Sequence, residues 1–84
     1  MTASPTTIKR ILIANRAEIA SRIIRTCKQL GIETVAVYSE VDKHLPYVSE
    51  ADIAIALPSP TAYLSIDAIL AACKASGATA VHPG

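Results

Sequence analysis

Two short apolar runs, set on either side of an amphipathic segment, constrain this chain more than any other feature. Arg10 to Ala14 (RILIA) is a compact apolar run, and Glu33 to Ser39 (ETVAVYS) is rich in Val and Tyr. Both suit strands buried on two faces, the habit of parallel sheets. Between them, apolar residues recur at Ile19, Ala20, Ile23, Ile24, Cys27 and Leu30, which is the period of a helix. Arg22, Arg25, Lys28 and Gln29 fall mainly on the opposite side, and Gly31 stands where a left-handed residue ends a helix. A strand, a helix and a second strand joined by short links predict a right-handed parallel crossover.

The pattern repeats downstream. Ile53 to Leu57 reads as a third strand, and Pro58 and Pro60 hold the following link extended. Ser65 is placed to cap a helix with Asp67 in its first turn, a stripe of Ile66, Ile69, Leu70 and Cys73, and Gly77 at its end. Ala78 to Val81 makes a fourth strand before His82-Pro83-Gly84. The polar stretch EVDKHLPYVSEAD, with Pro46 inside it, predicts a loop with one helical turn. The class is α/β, with a Rossmann-like, doubly wound parallel sheet. No helix follows the last strand, so the layout is expected to be an incomplete domain that is marginally stable or self-associating alone.

Composition excludes several roles. A net charge of +1 argues against a strong nucleic-acid footprint. Lys9, Arg10, Arg16, Arg22, Arg25 and Lys28 nevertheless crowd the first third of the chain, where Glu18 is the one acid. No aromatic interleaves with these cations, so base stacking has no support, and a solvated or subunit-contacting face is the simpler reading. No apolar run approaches the roughly 20 residues that span a bilayer. Cys27 and Cys73 stand far apart with no partner spacing for zinc or a disulfide framework, which points to a reducing, cytoplasmic setting. The leader, residues 1–7, is expected to be disordered; it is Ser/Thr-rich and free of acids but too short to read as a transit peptide, although a mitochondrial matrix location stays open.

In open α/β sheets, function gathers beyond the carboxyl ends of the strands. The residues that fall there are Asn15 and Arg16, the polar stretch from Ser39 to His44, and His82. Asn15 and Glu18 have the spacing of an N-cap and its reciprocal carboxylate. Arg16 opposes the helix macrodipole, so it either finds an acid or an anion or stays in solvent. Glu40 and Asp42 have no third ligand spaced to complete a metal site, and His44 reads as a loop histidine. His82 ends a strand and points to the edge, for packing or for chemistry. The sequence contains no nucleophile elbow, Walker A motif or glycine-rich dinucleotide fingerprint. The residues alone therefore predict a partial α/β domain without a complete active site.

Taken together, RILIANRAEIASRIIRTCKQLGIETVAVYSEVDKHLPYVSEAD, YLSIDAILAACKASGA and the closing HPG resemble the start of the biotin carboxylase component of biotin-dependent carboxylases. That family includes acetyl-, propionyl- and methylcrotonyl-CoA carboxylases, pyruvate carboxylase and urea carboxylase. The resemblance runs from Ile8 to Gly84 and implies a pre-ATP-grasp domain that supports an ATP-dependent ligase without being catalytic itself. It implies that ATP, Mg or Mn, and biotin are bound by later domains, and that the partners are those domains, the biotin carboxyl carrier domain and a second subunit. It places Asn15, Arg16, His82 and Gly84 on the active-site edge and gives Arg22 and Arg25 a dimer contact. A non-catalytic interaction module that pairs with a full-length carboxylase is the alternative. Three departures stand out. Ala17 replaces a usual Gly, which predicts an ordinary negative φ there. The link Leu57 to Ala62 is short, and Pro46-Tyr47-Val48 replaces a more usual His-Val ending.

Overall fold

A computed structural model describes residues 8–59 and 65–83. The expected leader, the middle of the link before the last helix, and Gly84 lie outside the described residues. The elements run β1 (Arg10–Ile13), α1 (Ala17–Gln29), β2 (Glu33–Tyr38), a 3-10 turn (Glu40–Asp42), α2 (Pro46–Glu50), β3 (Ile53–Ala56), α3 (Ile66–Ser76) and β4 (Ala80–His82). The strands form one sheet in the order β3-β2-β1-β4, and every described pairing is parallel. The α/β, doubly wound layout expected from the sequence is present.

Strand alternation divides the core into two layers. Leu12, Val35, Val37 and Leu57 face α3, which packs on them through Ala68, Ile69, Ala72 and Cys73. Ile13 and Ala36 face the other way, against Ala20 and Ile24 of α1 and Tyr47 of α2. Register is fixed at the strand starts by side chains. The Arg10 guanidinium donates to Glu33 at 2.8 and 3.1 Å and to the Ser76 carbonyl, joining β1, β2 and the end of α3. Asp52 accepts from the Thr34 amide at 2.8 Å, which sets β3 beside β2.

The helix ends follow their signals. Gly31 and Gly77 take φ of 73° and 74°, and the Ile32 amide reaches back to the Cys27 carbonyl at 2.9 Å in a Schellman closure. A side chain added at Gly77 would stand 3.1 Å from the Arg10 guanidinium, so this glycine also serves a close approach. Ser65 caps α3, accepting from the Ala68 amide at 3.2 Å.

Three expectations need correction. The cap at the start of α1 does not form: the flanking residue is Arg16, with no side-chain cap hydrogen bond. This shifts Glu18 one position too early to reciprocate, and Asn15 lies outside the helix. Ala17 has φ of +52°, where an ordinary negative φ was expected for alanine in a usual glycine position. On α3, Ile66 and Leu70 are 76% and 54% exposed. Of the expected stripe, Ile69 and Cys73 pack on the sheet, and the most buried positions of the helix are the small residues Ala72 and Ser76.

The polar stretch after β2 is more ordered than expected. Pro46 starts α2 with its preset φ, and Tyr47 beside it is fully buried, its hydroxyl donating to the Val37 carbonyl at 3.1 Å. The Tyr47 substitution noted in the sequence thus supplies the largest wholly buried side chain of the described core.

Candidate functional site at the carboxyl edge of the sheet

The chain winds outward from β1 to β2 and β3, then returns to place β4 on the other side of β1. The reversal lies between β1 and β4, the point at which open α/β sheets leave a crevice. Asn15 follows β1 and His82 closes β4, and the structure brings them together across that crevice. Asn15 Oδ1 lies 2.8 Å from His82 Nδ1, and the ladder extends beneath them through the Ala14 amide to the His82 carbonyl at 3.0 Å. The Asn15 oxygen can only accept, so the bond forms with a proton on Nδ1.

Arg16 turns away from this pair. Its Nε donates to Asp42 Oδ2 at 2.6 Å and its Nη2 to Oδ1 at 2.8 Å. Asp42 is 3% exposed at its side chain and Arg16 is 52% exposed. Of the alternatives open for Arg16, the acid is the one realised, and its partner is a residue that reads in the sequence as a solvated loop acid. The missed signal is Tyr47: an aromatic after a proline in a polar stretch draws the loop onto the sheet and carries Asp42 inward. Gly84, expected at the same edge, lies outside the described residues.

Glu40 and Lys43 pair at 2.6 Å on the surface. Lys43 holds the Glu40 carboxyl below the usual carboxylate range, first by hydrogen bond and then by charge, and Glu40 raises the Lys43 ammonium in return. The two acids that a metal would need are thus each turned toward a cation. Among the described residues, no three His, Cys, Asp or Glu side chains gather where they could hold a metal ion. The turn from β1 into α1 contains no glycine, and the side chains beside it are joined to one another rather than converging on an open phosphate seat. Among the described residues, the turn thus offers neither a glycine cradle for phosphate nor a cluster of acids for a metal.

Arg22 and Arg25 point to opposite flanks of α1. Arg22 lines a groove between α1 and β4, together with Ile19, Ile23, Thr26, Cys27 and His82. Arg25 lines another between α1 and α2. Both cysteines are free, and burial raises the thiol pKa of each. No helix among the described residues is long and apolar enough to cross a membrane.

The fold and this edge define an open α/β domain whose crevice is closed by side-chain pairs rather than by a glycine-rich turn. Residues 7–84 match the family described as biotin carboxylase, N-terminal domain, and the chain belongs to that family. It is 51% identical over 80 residues to biotin carboxylase of Pseudomonas aeruginosa, covering 92% of this chain and 18% of that protein. It is 53% identical over 81 residues to the mitochondrial propionyl-CoA carboxylase alpha chain of Homo sapiens, covering 93% and 11%. The crystal structure of Kluyveromyces lactis urea carboxylase superposes with a TM-score of 0.87 at 50% identity, covering 92% of this chain and 7% of that one. The chain thus spans less than a fifth of the length of these relatives, which are larger carboxylases.

Proposed function

We propose that this chain acts as the supporting N-terminal domain of a biotin-dependent carboxylase. In this reading it contributes to ATP- and bicarbonate-dependent carboxylation of biotin without performing chemistry alone. ATP, Mg or Mn, and biotin are held by the remaining carboxylase domains, which are its partners together with the biotin carboxyl carrier domain. A second subunit meets it through α1, at Arg22 and Arg25. Asn15, Arg16, His82 and Gly84 form the edge that faces the active site.

The observation that carries this reading is the family match across residues 7–84. The state of the edge agrees with it: Asn15 is joined to His82 and Arg16 to Asp42, an arrangement that shapes a surface rather than one that presents a nucleophile and a base. The test is a chimaera in which this chain replaces the matching segment of the Pseudomonas aeruginosa biotin carboxylase. The chimaera is expected to carboxylate free biotin with ATP and bicarbonate, and the chain alone is not. Saturable ATP binding by the chain alone in calorimetry, or an inactive but folded chimaera, would overturn the reading.

A further inference from the structure

We propose that Asn15 is a positioning residue of the carboxylase, acting through His82: its side chain fixes the direction in which the chain leaves β4. The inference rests on the functional reading above and assigns a role to one contact at the active-site edge. His82 is the last residue of β4, a strand of three residues. Among the described residues, β1 is the one neighbour of that strand. His82 is held there twice. Its carbonyl accepts from the Ala14 amide at 3.0 Å, and its ring nitrogen Nδ1 lies 2.8 Å from Asn15 Oδ1. The backbone bond fixes where the strand ends, and the side-chain bond stops the residue from turning about that point. Pro83 follows directly and biases His82 toward extended backbone. The exit from β4 is thus set in direction as well as in place.

Stability does not account for this contact. The pair bridges 67 positions of sequence at an exposed place, where water competes for both partners and a hydrogen bond contributes little to folding. The turn that presents Asn15 is itself unfavourable. Arg16 is extended, and Ala17 then takes φ of +52°, a conformation uncommon for any residue with a side chain. Strained backbone of this kind persists where its surroundings over-determine it, and it gathers at functional sites. Here Asn15 reaches across to β4, while Arg16 reaches to Asp42 in the 3-10 turn after β2. Two successive side chains tie the exit of β1 to both of its neighbours, at the edge where open α/β sheets place their chemistry. A supporting domain serves catalysis by such geometry, since a shift of about 1 Å far from the reacting atoms can cost about 100-fold in rate.

The two nitrogens of the ring allow positioning to be separated from chemistry. The bond to Asn15 uses Nδ1 and needs only a donor there. An asparagine at this position places its amide nitrogen near where Nδ1 stood, and a glutamine places it near Nε2. Positioning is therefore served by His82→Asn and not by His82→Gln. A role for Nε2 at the reacting atoms predicts the reverse.

The experiment measures biotin carboxylation by the chimaera described above and by its variants. Asn15→Ala and His82→Gln are each expected to lower kcat about tenfold, with the KM for ATP within about twofold and the melting temperature within about 2 °C. His82→Asn should recover kcat to within about threefold of wild type. Combining Asn15→Ala with His82→Gln should lose no more than either alone, because the two residues act as a unit. A kcat for Asn15→Ala within about twofold of wild type overturns the proposal. A loss confined to KM overturns it too, because Asn15 then binds substrate. A loss accompanied by a melting temperature lowered by more than about 2 °C makes the contact structural, with the same consequence. His82→Gln more active than His82→Asn transfers the role to Nε2 and also overturns it. A wild-type chimaera that carboxylates biotin, with an indifferent Asn15→Ala, removes this inference and keeps the functional reading. One that folds without carboxylating biotin removes the reading, and the proposed role with it.

Discussion

Arg16 and Asp42 are joined at both ends of the carboxylate, at 2.6 and 2.8 Å, with the acid buried and the guanidinium half in water. The asymmetry decides which deletion costs more. Losing Arg16 strands a charge inside the fold, and Arg16→Ala is expected to lower the unfolding free energy by about 2 kcal/mol. That is below the cost for a fully buried pair, because water reaches the outer partner. Arg16→Lys should recover only part, since an ammonium cannot span both oxygens. Urea denaturation measures both variants. A change within about 0.5 kcal/mol for Arg16→Ala would mean that Asp42 is satisfied without it.

Ala17 occupies a backbone conformation that penalises a side chain, with φ of +52°. Replacement by glycine relieves a clash worth about 1–2 kcal/mol and returns part of that gain as unfolded-state entropy. Ala17→Gly is therefore expected to stabilise the chain by about 0.5–1 kcal/mol, read as an upward shift of the urea midpoint at constant slope. Destabilisation would contradict the positive φ.

The two helix starts make a paired test. Ser65 accepts from the Ala68 amide, so Ser65→Ala should cost about 1 kcal/mol. Glu18, placed by the sequence in a capping box, has no such bond at the start of α1. Glu18→Gln should therefore change stability by less than about 0.5 kcal/mol. A loss at Glu18 as large as that at Ser65 would restore the capping box.

Asn15 and His82 join the two strands that flank the crevice. A double-mutant cycle of Asn15→Ala and His82→Ala should show a coupling of about 0.5 kcal/mol, modest because His82 is exposed. Strict additivity would separate the two residues.

Burial raises the thiol pKa of Cys27 and of Cys73 in the folded chain. A raised folded value means that the fold prefers the protonated thiol. This contribution is complete below the unfolded thiol pKa, about 8.5, and is lost as pH climbs through the higher folded value. Melting temperatures are expected to fall on the alkaline side of that point, and Cys27→Ala should flatten the fall. An unchanged alkaline slope in Cys27→Ala would show that the thiol does not contribute.

Periodicity and punctuation carried most of the fold. The runs RILIA and ETVAVYS, the Ser65 cap and the two terminating glycines each act within a turn or two of backbone and formed as expected, while the α1 stripe is buried at Ala20, Ile24 and Cys27 but leaves Ile19 and Leu30 exposed. The site was only half legible. Asn15, Arg16 and His82 could be placed at the carboxyl edge, because strand direction alone puts them there. Their partners could not be read, because His82 and Asp42 reach them across the sheet from distant parts of the chain.

Sequence alone determined the alternation of strands and helices, the glycine-marked carboxyl ends of α1 and α3, and membership in the carboxylase family. Tertiary structure decided the rest: that Asp42 is buried, that Tyr47 fills the core, that Ala17 bears a left-handed turn, and that the most buried positions of α3 are Ala72 and Ser76. Local patterns register hydrophobicity and backbone preference along the chain. Long-range packing sets which charges meet and which conformations are forced, and the stretch around Asn15, Arg16 and Ala17 is shaped by those meetings more than by its own residues.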